Sequence, residues 1–485
     1  MSSLYRASRL GPADREATRF TSSIESDKYL FQSVIQINQA HIVMLRRMRI
    51  VTRKDARKIL KALAELRAMP RSTKAEDVHV LVEEAVIKRA GKSAGGNLQL
   101  GKSRNDQVAT AIRMRLRGEV LRITDLLVAL LSTLQKTIRD HHKTLMIGRT
   151  HQQPAEPITY GHYMMAFHDS TLRDLQRLEE FYARLNLSPM GACALAGTSI
   201  PIDRHLVAAL LGFDGLIENS LDAVGSRDFA LEFLSDMVQL AVNISRLAED
   251  VIFHMTPEVG QLQLPDDLSF TSSIMPQKKN PDVVEVARAK CAFPAGALSQ
   301  VTTILHSLPT GYNLDLQEIT PQIWNASKTM EEVLTMLRTV ISSTKVISLD
   351  SGRADLTATT ATEFANMLVT DLGVPFRLAH QIVASAASEF MRKGSKESDL
   401  WPKLVFEKAQ ATLGTMPERL KDRLARLGTL EAVVGRKRSI GSTQPRETLR
   451  LLHTRAAALR QATRRQRARL NRLAAAGARL RREAM

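Results

Sequence analysis

Cysteine is almost missing from this sequence: Cys193 and Cys291 are the only two in 485 residues. Far apart and outside any ligand-like spacing, they exclude a disulfide framework and a cysteine-ligated zinc site, and they read as small buried residues suited to a reducing cytoplasm. Aromatics are scarce too, at 5% of the chain against 44% hydrophobic residues overall. The core must therefore come from Leu, Ile, Val, Met and Ala, which favours helices. No stretch reaches the roughly 18 consecutive apolar residues of a membrane-spanning helix, and the first residues contain no apolar signal-peptide core. These absences predict a soluble, cytoplasmic protein with no membrane partner. Acidic residues are in deficit, 50 against 68 basic, for a net charge of +18. About half of the excess lies in residues 455–485, where ten arginines face one acid, Glu483. That segment has no aromatic residue for base stacking and no nucleic-acid module, so a solvated basic helix is expected there and nucleic acid is not.

What the chain does have is long helical periodicity. Ile112, Leu116, Val120, Ile123, Leu127, Leu130, Leu134 and Ile138 recur every three or four residues in a proline-free run from Val108 to about His141, which predicts one long helix. A second is predicted from Phe229 to Phe253, a third from Pro157 to about Leu185, a fourth after Pro281 with a kink at Pro294, and a fifth from about Ile323 to Val346. Shorter helices occupy Ser23 to Leu66, with Thr52 as a cap, and a helix through Ile87 starts at the acidic pair Glu76 and Asp77. Nothing alternates as βαβ and nothing repeats, so the fold class is all-α. Amphipathic helices this long need partners, and an elongated bundle continued by other subunits satisfies them. The expected domains are 1–107, the central bundle 108–350, a region of shorter helices 351–452, and the basic tail 453–485.

Polar residues concentrate in the connections. LSFTSSIMPQKKNPD, residues 268–282, collects two serines, two lysines and Asn280 before a helix. Asn280 reads as the N-cap and Pro281 as the first helical residue, with Asp282 and Glu285 in the first turn. Lys278 and Lys279 beside a helix N-terminus suit a carboxylate or phosphate, although spacing alone leaves an ordinary polar loop open. GKSRNDQ, residues 101–107, offers a second anion cradle or a solvated loop. Thr150 and His151 precede a proline-broken turn, where a lone histidine is as readily structural as catalytic. Asp222 and Arg227 lie in a polar turn, and Tyr312, Asn313, Asp315 and Gln317 lie in another.

In order along the chain, GKSRNDQVATA, ALAGTSIPIDR, LLGFDGLIENSLDAV, SSIMPQKKNPD and YNLDLQE resemble the argininosuccinate lyase branch of the aspartase/fumarase superfamily, over about Ser22 to Leu452. The resemblance implies a three-domain all-α fold, a homotetramer with active sites shared between subunits, and reversible elimination of arginine from argininosuccinate to give fumarate, with no metal or organic cofactor. It makes His151 and Ser272 the acid–base pair and sets Lys278 against the developing charge. Ser23, Asn105, Thr150, Arg227, Asn280, Tyr312 and Gln317 become substrate-binding, and Asp27 is set against the cationic amine part. Some positions depart from the family pattern: Thr271 for glycine, Thr320 for a substrate-binding lysine, Leu314 for arginine, Gln99-Leu100 for His-Thr, and Gly225-Ser226 for Ser-Asp. These departures touch the amine half of the substrate. A lyase for another N-substituted aspartate and a weakly active structural homologue are the alternative readings.

Overall fold

The computed structural model describes residues 11, 13–70, 75–349, 354–393, 399–414 and 416–485. Three helices open the fold: α1 (Phe31–Arg47), α2 (Arg53–Glu65) and α3 (Val78–Ala90). The caps read from sequence are in place, since Thr52 Oγ1 accepts from Asp55 N at 3.1 Å and Asp77 Oδ1 from Val80 N at 2.8 Å. Then comes α4 (Arg104–Asp140), 37 residues long and therefore about 55 Å from end to end. A reciprocal capping box fixes its start: Ser103 N donates to Asp106 Oδ1 at 3.0 Å while Ser103 Oγ accepts from the first turn.

The chain returns along α4 as α5 (Tyr160–Leu185), descends again as α6 (Asp228–Met255), comes back as α7 (Asp282–Lys290) and α8 (Phe293–Leu305), and descends as α9 (Thr320–Ser343). The expected fourth helix is thus two helices and not one kinked rod. Pro294 has no N–H to continue the ladder, so it sits in the first turn of a new helix. The apolar stripes of these helices meet in one core that includes Leu116, Leu134, Phe181, Phe233, Met237, Leu334 and Leu337.

Four helices, α10 (Ala361–Leu372), α11 (Phe376–Lys393), α12 (Leu400–Leu413) and α13 (Glu418–Leu427), hold a separate apolar cluster around the fully buried Trp401. Trp401 Nε1 donates to Thr360 Oγ1 at 2.9 Å, so its polar atom is not wasted in the core. A short helix, α14 (Leu430–Arg436), leads to the last one, α15 (Pro445–Ala484).

Two features differ from expectation. The sequence gave no strand signal, yet residues 145–159 form an antiparallel hairpin of β1 (Leu145–Thr150) and β2 (Gln153–Thr159). Its two-residue loop, His151–Gln152, has φ of 52° and 62°. Such a turn matches strand twist but normally recruits Asn or Gly, so the usual letters were missing. The basic tail is also not a solvated appendage. Its helix begins at Pro445, crosses the expected boundary at 452/453, and buries Leu452, Leu459, Ala462 and Leu480 in the main core. Gln466 Nε2 donates to Leu121 O at 2.9 Å, and Arg455 and Arg465 form two-pronged pairs with Asp169 and Glu179. Much of the tail's charge is therefore spent within the chain. Deleting 453–485 removes two buried leucines worth about 3 kcal/mol or more. Differential scanning calorimetry should then record a melting temperature lower by about 3 °C or more, whereas a solvated tail would leave it unchanged.

Candidate active site

The long helices sort the polar connections to two ends. At one end lie Ser23, the start of α4, the start of α6 at Arg227, the 310–317 loop and the start of α9. A cavity there is lined by Ser23, Asp27, His79, Tyr312, Gln317 and Thr320 among others. Ser23 Oγ donates to Asp27 Oδ2 at 2.7 Å, and Val78 N donates to the same oxygen at 3.3 Å. Burial pushes the Asp27 carboxyl up to about 6, against the pull of the Ser23 hydroxyl. Gln317 Nε2 donates to Thr21 O at 3.2 Å. Burial raises the Tyr312 phenol, with Arg227 opposing. Arg104 pairs with Asp77 and Glu76 on the cavity wall.

Arg227 is only 2% exposed. Its Nη1 donates to Val224 O at 3.1 Å and to Ser226 O at 2.7 Å, and burial lowers its pKa to about 10. It therefore braces the turn beside Tyr312. Gly225 explains why that turn can lie so close: a Cβ there would stand 3.1 to 3.2 Å from Gly311 N, O and Cα.

The expected anion cradle at 101–107 is already filled by the chain. Arg104, Asn105 and Asp106 are in the first turn of α4, and the Asp106 carboxylate accepts from Gly191 N at 3.0 Å, Cys193 N at 2.9 Å and Ser103 N at 3.0 Å. Lys102 is buried and donates to Asn38. Asn105 stays exposed, its Nδ2 donating to Ala194 O at 3.0 Å.

At the opposite end are the hairpin and the loop between α6 and α7. Thr150 and His151 sit exposed at the hairpin tip. The loop is closed by two-residue strands, Phe270–Thr271 paired with Lys279–Asn280, and it is tied to the end of α9 by pairing of Leu262 with Val346. Asn280 is accordingly extended and not a helix cap, and Pro281 takes the capping position of α7. Its lack of an N–H costs nothing there. Ser272 Oγ accepts from Ile274 N at 3.3 Å and Met275 N at 3.2 Å. Two amides aimed at one hydroxyl oxygen ease negative charge on it. Lys279, read from sequence as half of an anion pair, is instead committed to Leu264 O at 2.6 Å and Asp266 Oδ1 at 2.8 Å. Lys278 is exposed, and among the described residues its ammonium group has no printed partner.

One chain therefore brings together Ser23, Asp27, Tyr312 and Gln317, and separately Ser272, Lys278 and Asn280, but it does not join the two sets. The 28-residue α6, about 42 Å long, stands between Arg227 and the Ser272 loop. Sequence reasoning missed His79, which lines the cavity two residues after a cap that drew attention to Asp77 alone.

Residues 8–293 match a family model described as Lyase, and residues 358–417 match one described as Argininosuccinate lyase C-terminal. A curated argininosuccinate lyase of Methanosarcina mazei is 38% identical over 452 residues, 92% of this chain and 91% of the relative. One of Methanothermobacter thermautotrophicus is 42% identical over 405 residues, 81% and 86% of the two chains. Among solved structures, an EDDS lyase variant with bound fumarate superposes with a TM-score of 0.84 at 28% identity, covering 94% of this chain and 91% of the other. A fumarate lyase from Mesorhizobium sp. BNC1, at 17% identity and a TM-score of 0.71 over 91% of this chain and 98% of that one, shares the fold.

Proposed function

The chain belongs to the argininosuccinate lyase family of the aspartase/fumarase superfamily, and from that membership we propose that it eliminates arginine from argininosuccinate to release fumarate. The observation that carries this reading is identity of 38% to a curated argininosuccinate lyase across 92% of the chain. Removing the proton beside a carboxylate builds an aci-carboxylate dianion while the carbon–nitrogen bond breaks. We assign its stabilisation to Lys278 with Asn280 and the proton transfers to His151 and Ser272 as a pair. Lys278 supports this as an exposed cation, and Ser272 as a hydroxyl oxygen already facing two amides. Ser23, Asn105, Thr150, Tyr312 and Gln317 are assigned to substrate. Arg227 is assigned to placing a carboxylate through the turn and Tyr312 it supports, and Asp27 to the amine.

Joining the two ends requires more than one copy, and we propose a homotetramer with shared sites. Its support is the 42 Å separation argued above and the exposed apolar residues along the bundle, including Val242, Val286 and Phe293 at 54%, 55% and 62% exposure, which a soluble monomer would leave wet. Among the described residues no helix is long and apolar enough to cross a membrane, and we propose cytoplasmic residence. A second reading, a lyase for another N-substituted aspartate, is favoured by Thr320 and Leu314 on the cavity wall and by the likeness to an EDDS lyase.

The test is fumarate release followed by ultraviolet absorbance, with argininosuccinate set against aspartate, adenylosuccinate and other N-substituted aspartates. Rapid release from argininosuccinate is expected, with KM rising as pH falls through about 6 because Asp27 then gains a proton and loses its charge. Asp27→Asn should have a high KM at every pH. Release only from another substrate would move the assignment to the second reading.

A further inference from the structure

His79 is 6% exposed, lies on the wall of the cavity that holds Asp27 and Tyr312, and among the described residues has no hydrogen-bond partner at either Nδ1 or Nε2. Buried polar atoms are almost always paired. Two orphan nitrogens on one ring facing a cavity mark a partner that arrives from outside. Burial, with Arg104 and Lys102 nearby, holds the imidazole neutral, its pKa lowered to about 3. A neutral imidazole presents one acceptor and one N–H donor at opposite sides of the ring.

In argininosuccinate the guanidino group is bonded to the succinyl carbon and reacts there. The far end of the amine half is then a free α-amino acid, with an ammonium group and a carboxylate one carbon apart. The cavity offers little fixed positive charge to such a group. Arg104 is already engaged by Asp77 and Glu76, and the remaining donors, Ser23, Tyr312, Gln317 and Thr320, are neutral. A zwitterion asks for that mixture: one anionic acceptor, supplied by Asp27, with neutral groups that both give and take protons.

We propose that His79 is a specificity-determining residue that reads this α-amino-acid end, accepting an N–H of the α-ammonium group at one ring nitrogen beside Asp27 and offering its own N–H to the α-carboxylate. The assignment rests on the argininosuccinate reading. It explains why a buried histidine tolerates two unpaired nitrogens in the free protein: both are satisfied when substrate is bound, and a ligand lacking either charged group leaves one of them bare.

Product inhibition of fumarate release tests it. In the wild-type enzyme arginine should inhibit at least about tenfold more strongly than agmatine, which lacks the carboxylate, or argininic acid, which lacks the ammonium group. His79→Leu should weaken inhibition by arginine about tenfold while leaving inhibition by fumarate unchanged, and His79→Gln, which keeps a donor and an acceptor, should recover part of the loss. A merely structural histidine would shift both products together. Equal inhibition by the three amines in the wild type overturns the proposal without any substitution, and so does an unchanged arginine effect in a folded His79→Leu enzyme. Should His79→Leu not assemble, the wild-type comparison decides alone. A wild-type protein inert toward argininosuccinate removes the functional reading itself, an outcome distinct from active enzyme with indifferent His79.

Discussion

Ser272→Ala is expected to lower turnover of argininosuccinate by about 100- to 10,000-fold, the range over which a positioned acid or base acts, with His151→Asn falling in the same range. Neither change should unfold the protein. Ser272 sits in a loop whose own strands hold it closed without the hydroxyl, through pairing of Phe270 with Asn280 and Thr271 with Lys279. His151 stands exposed at the tip of a hairpin, where removing the ring uncovers no core. Circular dichroism and size-exclusion profiles should match the parent protein while steady-state rates collapse. Either variant turning over at near the parent rate would remove that residue from the acid–base pair and leave the other to work with water or with Lys278.

Mixing Ser272→Ala with Asn105→Ala subunits, each inactive alone, should restore about a quarter of the parent activity after subunit exchange. The fraction follows from geometry. If each site takes the Asn105 end of one copy and the Ser272 end of another, random assembly from equal amounts leaves both intact in about one site of four. A site built within one copy would give no recovery, because every chain carries one defect. Exchange must be demonstrated independently, by mass spectrometry of the mixed oligomers. Recovery absent despite verified exchange would refute the shared site.

The helical frame was legible because its signal is repetitive. Eight apolar residues from Ile112 to Ile138 at steps of three and four leave little choice of structure, and α4 covers them all. Caps were legible where one side chain performs a local task, as at Thr52 and Asp77. The hairpin was not, because its turn uses His151 and Gln152 at positive φ in place of glycine or asparagine. Side-chain duties within the polar loops were the least readable. Lys278 and Lys279 are adjacent and chemically alike, yet only Lys279 is tied to Leu264 O and Asp266. Asp106, which read as part of a loop open to an anion, turned out to be the anion that three backbone amides enclose. His79 carried no sequence signal at all, since its distinction is the absence of neighbours in three dimensions.

The length of α6 has a consequence for how this chain can change over generations. On the shared-site reading the helix is a measuring rod: it fixes how far the Ser272 loop of one copy reaches toward the Asn105 end of the next. Adding a turn to it alone would move that loop by about 5 Å, beyond the tolerance of a reacting geometry. A matching turn would then be needed in α4, α5, α9 and the paired α7 and α8 at once. Insertions and deletions should therefore collect in connections away from both ends, such as the joints between α10 and α13, while the rods keep a common length that no single one of them can alter.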